Sequence, residues 1–157
     1  MLAVLALCAV ALAPLSARAS SQSAAPCPAQ DAPGSGPQLH VVVSGARRVA
    51  GNITFTLYGE DRAVFLKPHG SIALTRVTLS GTSAEACFVV SPSGTYAVAV
   101  YHDENDNHHF DRNFLGLPAE GYGFSNDAPT LFGPPSFDAA RLTVRPGENR
   151  IFIRLRY

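Results

Sequence analysis

From Gln38 to Tyr157 the apolar residues recur at every second position rather than at helical spacing, which predicts strands. Leu39, Val41 and Val43 alternate with His40 and Ser44, and Val42 breaks the polar side. After a turn region from Gly45 to Gly51, Ile53, Phe55 and Leu57 alternate with Asn52, Thr54, Thr56 and Tyr58, the sharpest half-buried strand pattern in the chain. Gly59-Glu60-Asp61 ends it, and a less regular part with Phe65, Pro68 and Gly70 follows. Ile72, Leu74, Val77 and Leu79 predict one strand or two broken ones. Ala86 to Val90 is a strand that stops at the turn cluster Ser91-Pro92-Ser93-Gly94. From Thr95 to His102, Tyr96, Val98 and Val100 share one face, while Ala97 and Ala99 leave the other open to a close neighbour. Gly133-Pro134-Pro135-Ser136 is a rigid turn, and Ser136 caps a single helical turn over residues 137–140. Leu142 and Val144 give a short strand, and Ile151, Ile153 and Leu155 the last one, with Tyr157 at the core edge. About seven short strands punctuated by Gly, Pro and Asn predict an all-β single β-sandwich, transthyretin-like or immunoglobulin-like. A long loop insertion, Asp103 to Phe137, follows a central strand, and such loops on rigid scaffolds are where function concentrates.

The 157 residues suffice for one domain. Leu2 to Leu15 is almost wholly Ala, Leu and Val, and Ala17-Arg18-Ala19 has a small-x-small cleavage pattern. Residues 1–19 therefore read as a secretory signal peptide, although no basic residue precedes the apolar run. The expected location is periplasmic or extracellular. The run is short for a bilayer and no second one occurs, so the mature chain is expected to have no membrane span. Residues 20–37, rich in Ser, Ala, Pro, Gly and Gln, read as a flexible linker, and residues 38–157 as the folded domain.

Twelve basic residues balance twelve acidic ones; loss of Arg18 with the leader leaves 11 − 12 = −1, no basis for binding nucleic acid. The distribution is uneven: seven acids and one base, Arg112, lie between Asp103 and Asp138, whereas five arginines and one acid lie from Arg141 onward. Cys27 and Cys87 remain after export, a disulfide candidate in an oxidising compartment, the alternative being two free thiols.

The acidic middle opens with oxygen-bearing side chains at alternate positions. Counted from Asp103, the places Asp103, Asn105, Asn107, the His109 carbonyl and Asp111 match the first nine of a calcium-binding loop. Two features weaken it. His108 stands at the sixth place, where Gly makes the sharp turn, and Phe114 at the twelfth, where a bidentate Glu is usual; Glu120 or Asp106 would have to substitute. Affinity in the ~10⁻⁴–10⁻³ M range of extracellular modules is the expectation. The alternative is an Asx-rich turn that caps its own backbone without an ion. Two further alternatives exist: a zinc or copper site from His102, His108 and His109, and a small periplasmic enzyme using Glu120, Asp111 and His102. No nucleophile–base order is visible, and a binding or structural role is favoured over catalysis. Glu120, Tyr122, Phe124, Ser125 and Asn126 are the residues such a loop would present to an unknown protein or glycan ligand; the other reading packs the two rings onto the core.

The block Gly94 to Ala128, with His102, Asp103, Asn105, Asn107 and Asp111 followed by Gly116, Pro118 and Glu120-Gly-Tyr-Gly-Phe-Ser-Asn126, and then Gly133 to Ala140, resembles a bacterial exported family catalogued as domain of unknown function 2141. The likeness runs from about Leu39 to Tyr157 and departs at His108, where the family often has Gly. The resemblance implies export and a β-sandwich; it implies no activity.

Overall fold

The computed structural model describes Cys27 and residues 36–92, 94–131 and 133–157. The expected signal peptide, and all of the expected linker except Cys27, Gly36 and Pro37, lie outside the described residues. The strands are β1 (Gln38–Ser44), β2 (Asn52–Tyr58), β3 (Ala73–Thr78), β4 (Ser83–Val89), β5 (Gly94–Asp103), β6 (Gly121–Phe124), β7 (Leu142–Val144) and β8 (Glu148–Arg154). One sheet has the order β4-β1-β8, with β1 antiparallel to β4 and parallel to β8. The other has the order β3-β2-β5-β6, all antiparallel, and β7 pairs with the start of β5. The described residues thus form an all-β sandwich, as the periodicity predicts.

Between the sheets lie the inward positions of each alternating run: Leu39, Val41 and Val43 from β1, Ile53, Phe55 and Leu57 from β2, Val98 from β5 and Ile153 from β8, all essentially inaccessible. Burying one such side chain stabilises the fold by about 1.5–3 kcal/mol. In the stretch from Ile72 to Leu79, Val77 and Leu79 enter this core while Ile72 and Leu74 stay largely exposed. It forms one edge strand, β3.

The five-stranded sheet is covered on its outer face as well. Ala97 lies under a second apolar cluster of Tyr58, Phe65, Phe124, Ala128, Phe137 and Ala140. Phe65 stands edge-on to both Tyr58 and Phe137, at 5.1 and 5.6 Å between ring centroids. The small face of β5 admits these rings. Phe137 is delivered by the one-turn helix α1 (Phe137–Ala140), where the Ser136 side chain accepts the Ala139 N–H as the expected cap.

Two details differ from the expectation of seven strands and one long insertion. Gly121–Phe124 is an eighth strand, antiparallel to β5 in the register His102 with Gly121 and Tyr101 with Tyr122. The insertion is therefore a β5–β6 hairpin loop, residues 104–120, plus a separate stretch leading to α1. Gly121 and Gly123 face inward because β8 and Tyr157 pass so close: a Cβ on Gly123 would lie 2.6 Å from the Ile153 Cγ2. Cys27 and Cys87 are paired as a disulfide on the outer face of the three-stranded sheet, with Cα atoms 5.5 Å apart. Among the described residues no helix is long and apolar enough to cross a membrane.

Candidate functional site

Strand β5 ends at Asp103, opposite Asn52 of β2. The Asp103 side chain is fully buried. A buried carboxylate is tolerable only when donors surround it. Its Oδ1 accepts the Asn107 N–H at 3.0 Å, and its Oδ2 accepts the His108 N–H at 2.9 Å and the Asn52 amide at 3.1 Å. The same Asn52 amide donates to Asp106 at 2.7 Å, and the Asn52 oxygen accepts the Thr54 hydroxyl. Three donors leave Asp103 about one of the roughly four acceptor places a carboxylate has.

The chain turns sharply to bring those donors inward: Asp106 has φ 58° and His108 φ 65°. Both lie in the left-handed region that Asp and His enter more readily than most residues. Asn105 and Asn107 each accept the N–H two residues on, as Asx turns do. Their amides converge at 2.9 Å on Asp111 Oδ2, and among the described residues no donor reaches Asp111 Oδ1.

Glu120 closes the loop. It is 4% exposed, its Oε1 accepts the Glu104 N–H and its Oε2 the Asp111 N–H, both at 3.0 Å. One side chain thus clamps both limbs of the turn. The Glu104 side chain points the other way, to Arg47 at 2.7 Å and to Arg48. Burial pushes the Glu104 carboxyl up, but the hydrogen bonds and charges of Arg47 and Arg48 outweigh it and hold the group below the usual carboxylate range. His102 is fully buried beside this pair. Its Nε2–H donates to the Ala50 carbonyl at 2.8 Å, which leaves Nδ1 to accept the Tyr157 hydroxyl at 2.8 Å. Tyr157 in turn accepts the Arg47 N–H at 3.0 Å.

Beyond the clamp the hairpin loop leans over the outer face of the five-stranded sheet and walls one side of an open-mouthed cavity of about 700 Å³. Its floor consists of the cross-strand neighbours Thr56, Ala99 and Phe124, with Tyr101 and Tyr122 alongside. Phe110, Arg112, Leu117 and Pro118 wall one side, and Leu131, Gly133 and Pro134 the other. Tyr101, Phe110, Tyr122 and Phe124 form a chain of edge-to-face rings at 5.7, 6.0 and 6.1 Å. The Arg112 guanidinium lies over the Phe110 ring at 5.2 Å and donates to the Gly116 carbonyl. Phe114, Leu115 and Leu131 are exposed, Phe114 almost completely.

The structure brings Asp103, Asn105, Asn107 and Asp111 into one hydrogen-bonded loop. His109 is exposed and enters it through its N–H to Asn107. His102 does not join His108 and His109: both its nitrogens are engaged inside, whereas the other two rings are exposed. Glu120 and Asp111 meet, but only through a backbone N–H, and neither they nor His102 lines the cavity. Of the residues expected to form a surface, Glu120, Phe124 and Ser125 are buried, Tyr122 is half-buried and Asn126 is exposed. Ser125 is tied to the Val98 backbone and the Ala140 carbonyl, and the Asn126 amide to the Arg141 carbonyl. Asn52, Glu104, Arg47 and the wall residues Phe110 and Leu117 belong to no motif in the sequence; only Phe110, an apolar residue in a polar run, stands out there.

A family model described as an uncharacterized protein conserved in bacteria (DUF2141) matches residues 41–151. No curated protein and no solved structure matches the chain.

Proposed function

The chain belongs to this bacterial family, DUF2141, and from that premise we propose that it is an exported, non-catalytic binding module. Its ligand is a small molecule with an apolar or aromatic body, held between the five-stranded sheet and the hairpin loop. The observation that carries this reading is the aromatic-lined cavity of about 700 Å³. Small-molecule sites are concave, about 300–1,000 Å³, mostly apolar, with a few fixed polar groups. Here the polar groups are Arg112 at the rim and the Tyr122 hydroxyl, which meets Thr130 at 3.2 Å. The buried Asp103 and Glu120 supply the stiffness that holds one wall in place, which lowers the ordering cost of binding. Export rests on the apolar leader with its small-x-small end.

Titration with anilinonaphthalene sulfonate, an aromatic anion, tests the reading on the native protein. One bound dye per chain is expected. Leu117→Asp, at an exposed wall residue, is expected to weaken it at least tenfold, and Phe152→Ser, on the opposite sheet, to leave it unchanged. No binding by the wild type, or equal binding by the Leu117 variant, would sink the proposal. A retained near-ultraviolet circular dichroism spectrum separates native binding from dye uptake by a molten state.

A second reading keeps calcium in the loop, with Asp103, Asn105, Asn107, the His109 carbonyl and Asp111 as ligands. One observation favours it: His108, at the sixth place, adopts the left-handed turn such a loop requires. Among the described residues Asp103 retains an acceptor place and Asp111 Oδ1 receives no hydrogen bond. Against it, Asn105 and Asn107 present their amide nitrogens to Asp111 and use their oxygens on the backbone. Calorimetric titration after chelation decides. Heat together with a raised melting temperature, both lost in Asp111→Ala, supports calcium; neither effect at millimolar calcium leaves an ion-free loop and the cavity reading intact.

A further inference from the structure

The outer face of the three-stranded sheet carries a second constellation, remote from the cavity. His40 of β1 is the direct cross-strand partner of Cys87 of β4, so the two side chains stand next to each other on the same face. Cys27 joins them from the N-terminal arm. One ligand atom from each of Cys27, His40 and Cys87 lies within 4.8 Å of the others, and all three residues are partly accessible. The imidazole has a carboxylate at each nitrogen: Glu85 Oε1 is 3.2 Å from Nδ1, and Glu148 Oε1 is 3.7 Å from Nε2. Glu85 is itself held by Arg150 at 3.0 Å.

We propose that Cys27, Cys87 and His40 form a zinc site that is closed while the disulfide is intact and opens when it is reduced. Two thiolates and one imidazole are the donor set that zinc takes, in tetrahedral geometry, with Zn–S near ~2.3 Å and Zn–N near ~2.0 Å. Sulfurs straddling one ion stand farther apart than sulfurs in a bond. Breaking the disulfide lets them separate within the same small space, beside a nitrogen already in place. Glu148 or water fills the fourth position. Whichever imidazole nitrogen turns to the metal, the other keeps a carboxylate partner, the arrangement that orients metal-binding histidines.

The electron balance is that of thiol–disulfide exchange. A dithiol reductant gives up two electrons and two protons and becomes a disulfide; Cys27 and Cys87 take them up and become two thiols. Zinc then displaces those two protons, because the thiolates are the ligands. The site thus couples the redox state of its surroundings to metal capture on this sheet. Nothing in it depends on the cavity or on the Asp103 loop, so the two proposals stand or fall separately.

The purified chain without residues 1–19, which removes Cys8, is titrated with cobalt(II), either oxidised or reduced with the reductant removed under argon, and zinc(II) is then added in competition. The reduced protein is expected to show a thiolate-to-cobalt charge-transfer band saturating at one metal per chain and bleached by zinc. The oxidised protein is expected to show none. His40→Ala is expected to weaken zinc binding at least tenfold while both thiols still react with a thiol reagent. Should that variant melt early, His40→Asn gives the same comparison with a polar side chain retained. Cys87→Ser is expected to abolish the band. No band in the reduced wild type, an equal band in the oxidised one, or unchanged affinity in both His40 variants would overturn the proposal.

Discussion

At Glu120 a single carboxylate accepts two backbone N–H groups from opposite limbs of the hairpin loop. Hydrogen bonds to a charged group contribute about 1.5–3 kcal/mol each, and an unpaired partner is costly. Glu120→Gln keeps the shape but replaces one oxygen by a donor facing an N–H. A loss of about 1–3 kcal/mol in urea unfolding is expected, together with faster proteolysis within residues 104–119; unaltered cleavage would mean the clamp does not hold the loop. Glu104 makes a different prediction, because Arg47 and Arg48 depress its carboxyl in the folded state. The contribution of the cluster is complete above the unfolded carboxyl value of about 4.3, and it is lost as the pH falls through the lower, folded value. Between those two values Glu104→Gln is expected to flatten the acid limb of the stability–pH curve; an identical limb in the variant would refute that role. At this scale the sequence was legible as far as residue type. The two-residue spacing of Asp103, Asn105 and Asn107 fits a calcium loop and an ion-free Asx turn alike, and His108 stands where such a loop usually has its left-handed Gly. Which donors each oxygen meets depends on Asn52 and the two arginines, which lie some fifty positions away in sequence.

Among the elements, β6 is the one the chain carried in plain view. Gly-Tyr-Gly-Phe alternates with period two, as a strand does, but its glycines made it look like a loop. They are there because a Cβ would not fit: at Gly123 it would lie 2.6 Å from Ile153 Cγ2 and 3.1 Å from the Arg154 carbonyl oxygen, and at Gly121 2.4 Å from the Tyr157 ring. Gly123→Ala is expected to cost about 1–3 kcal/mol through overpacking, read as a lower denaturant midpoint with unchanged slope. A variant as stable as the wild type would show that β8 can yield. The other elements follow local rules. Alternation set β1, β2 and β5, and Ser136 caps α1 by accepting the Ala139 N–H. Strand β3 is less regular: it lies at a sheet edge, and its Leu74 stays exposed while Val77 enters the core.

For the molecule as a whole, the five-stranded sheet has two apolar faces, and the disulfide ties the N-terminal arm to the other sheet across 60 residues. Constraining an unfolded chain over a loop of that length is worth about 2–4 kcal/mol. Reduction in the presence of a chelator is expected to lower the unfolding free energy by that amount, measured in urea with and without reductant. An equal midpoint in both would show that the arm contributes nothing.

Alternation, turn residues and small-residue faces were enough to determine the sandwich and its inward side chains, because period two forces one face of each strand out of water wherever the chain runs. The same local chemistry marked residues 103–111 as a polar Asx-rich loop, since its Asn-to-backbone hydrogen bonds close within two residues. The tertiary structure alone decided the rest: the burial of Glu120, the engagement of His102 by Ala50 and Tyr157, which separates it from His108 and His109, the meeting of His40 with Cys87, and the cavity between Phe110 and Thr56. The last three join positions far apart in sequence, and only sheet order and register bring such positions together.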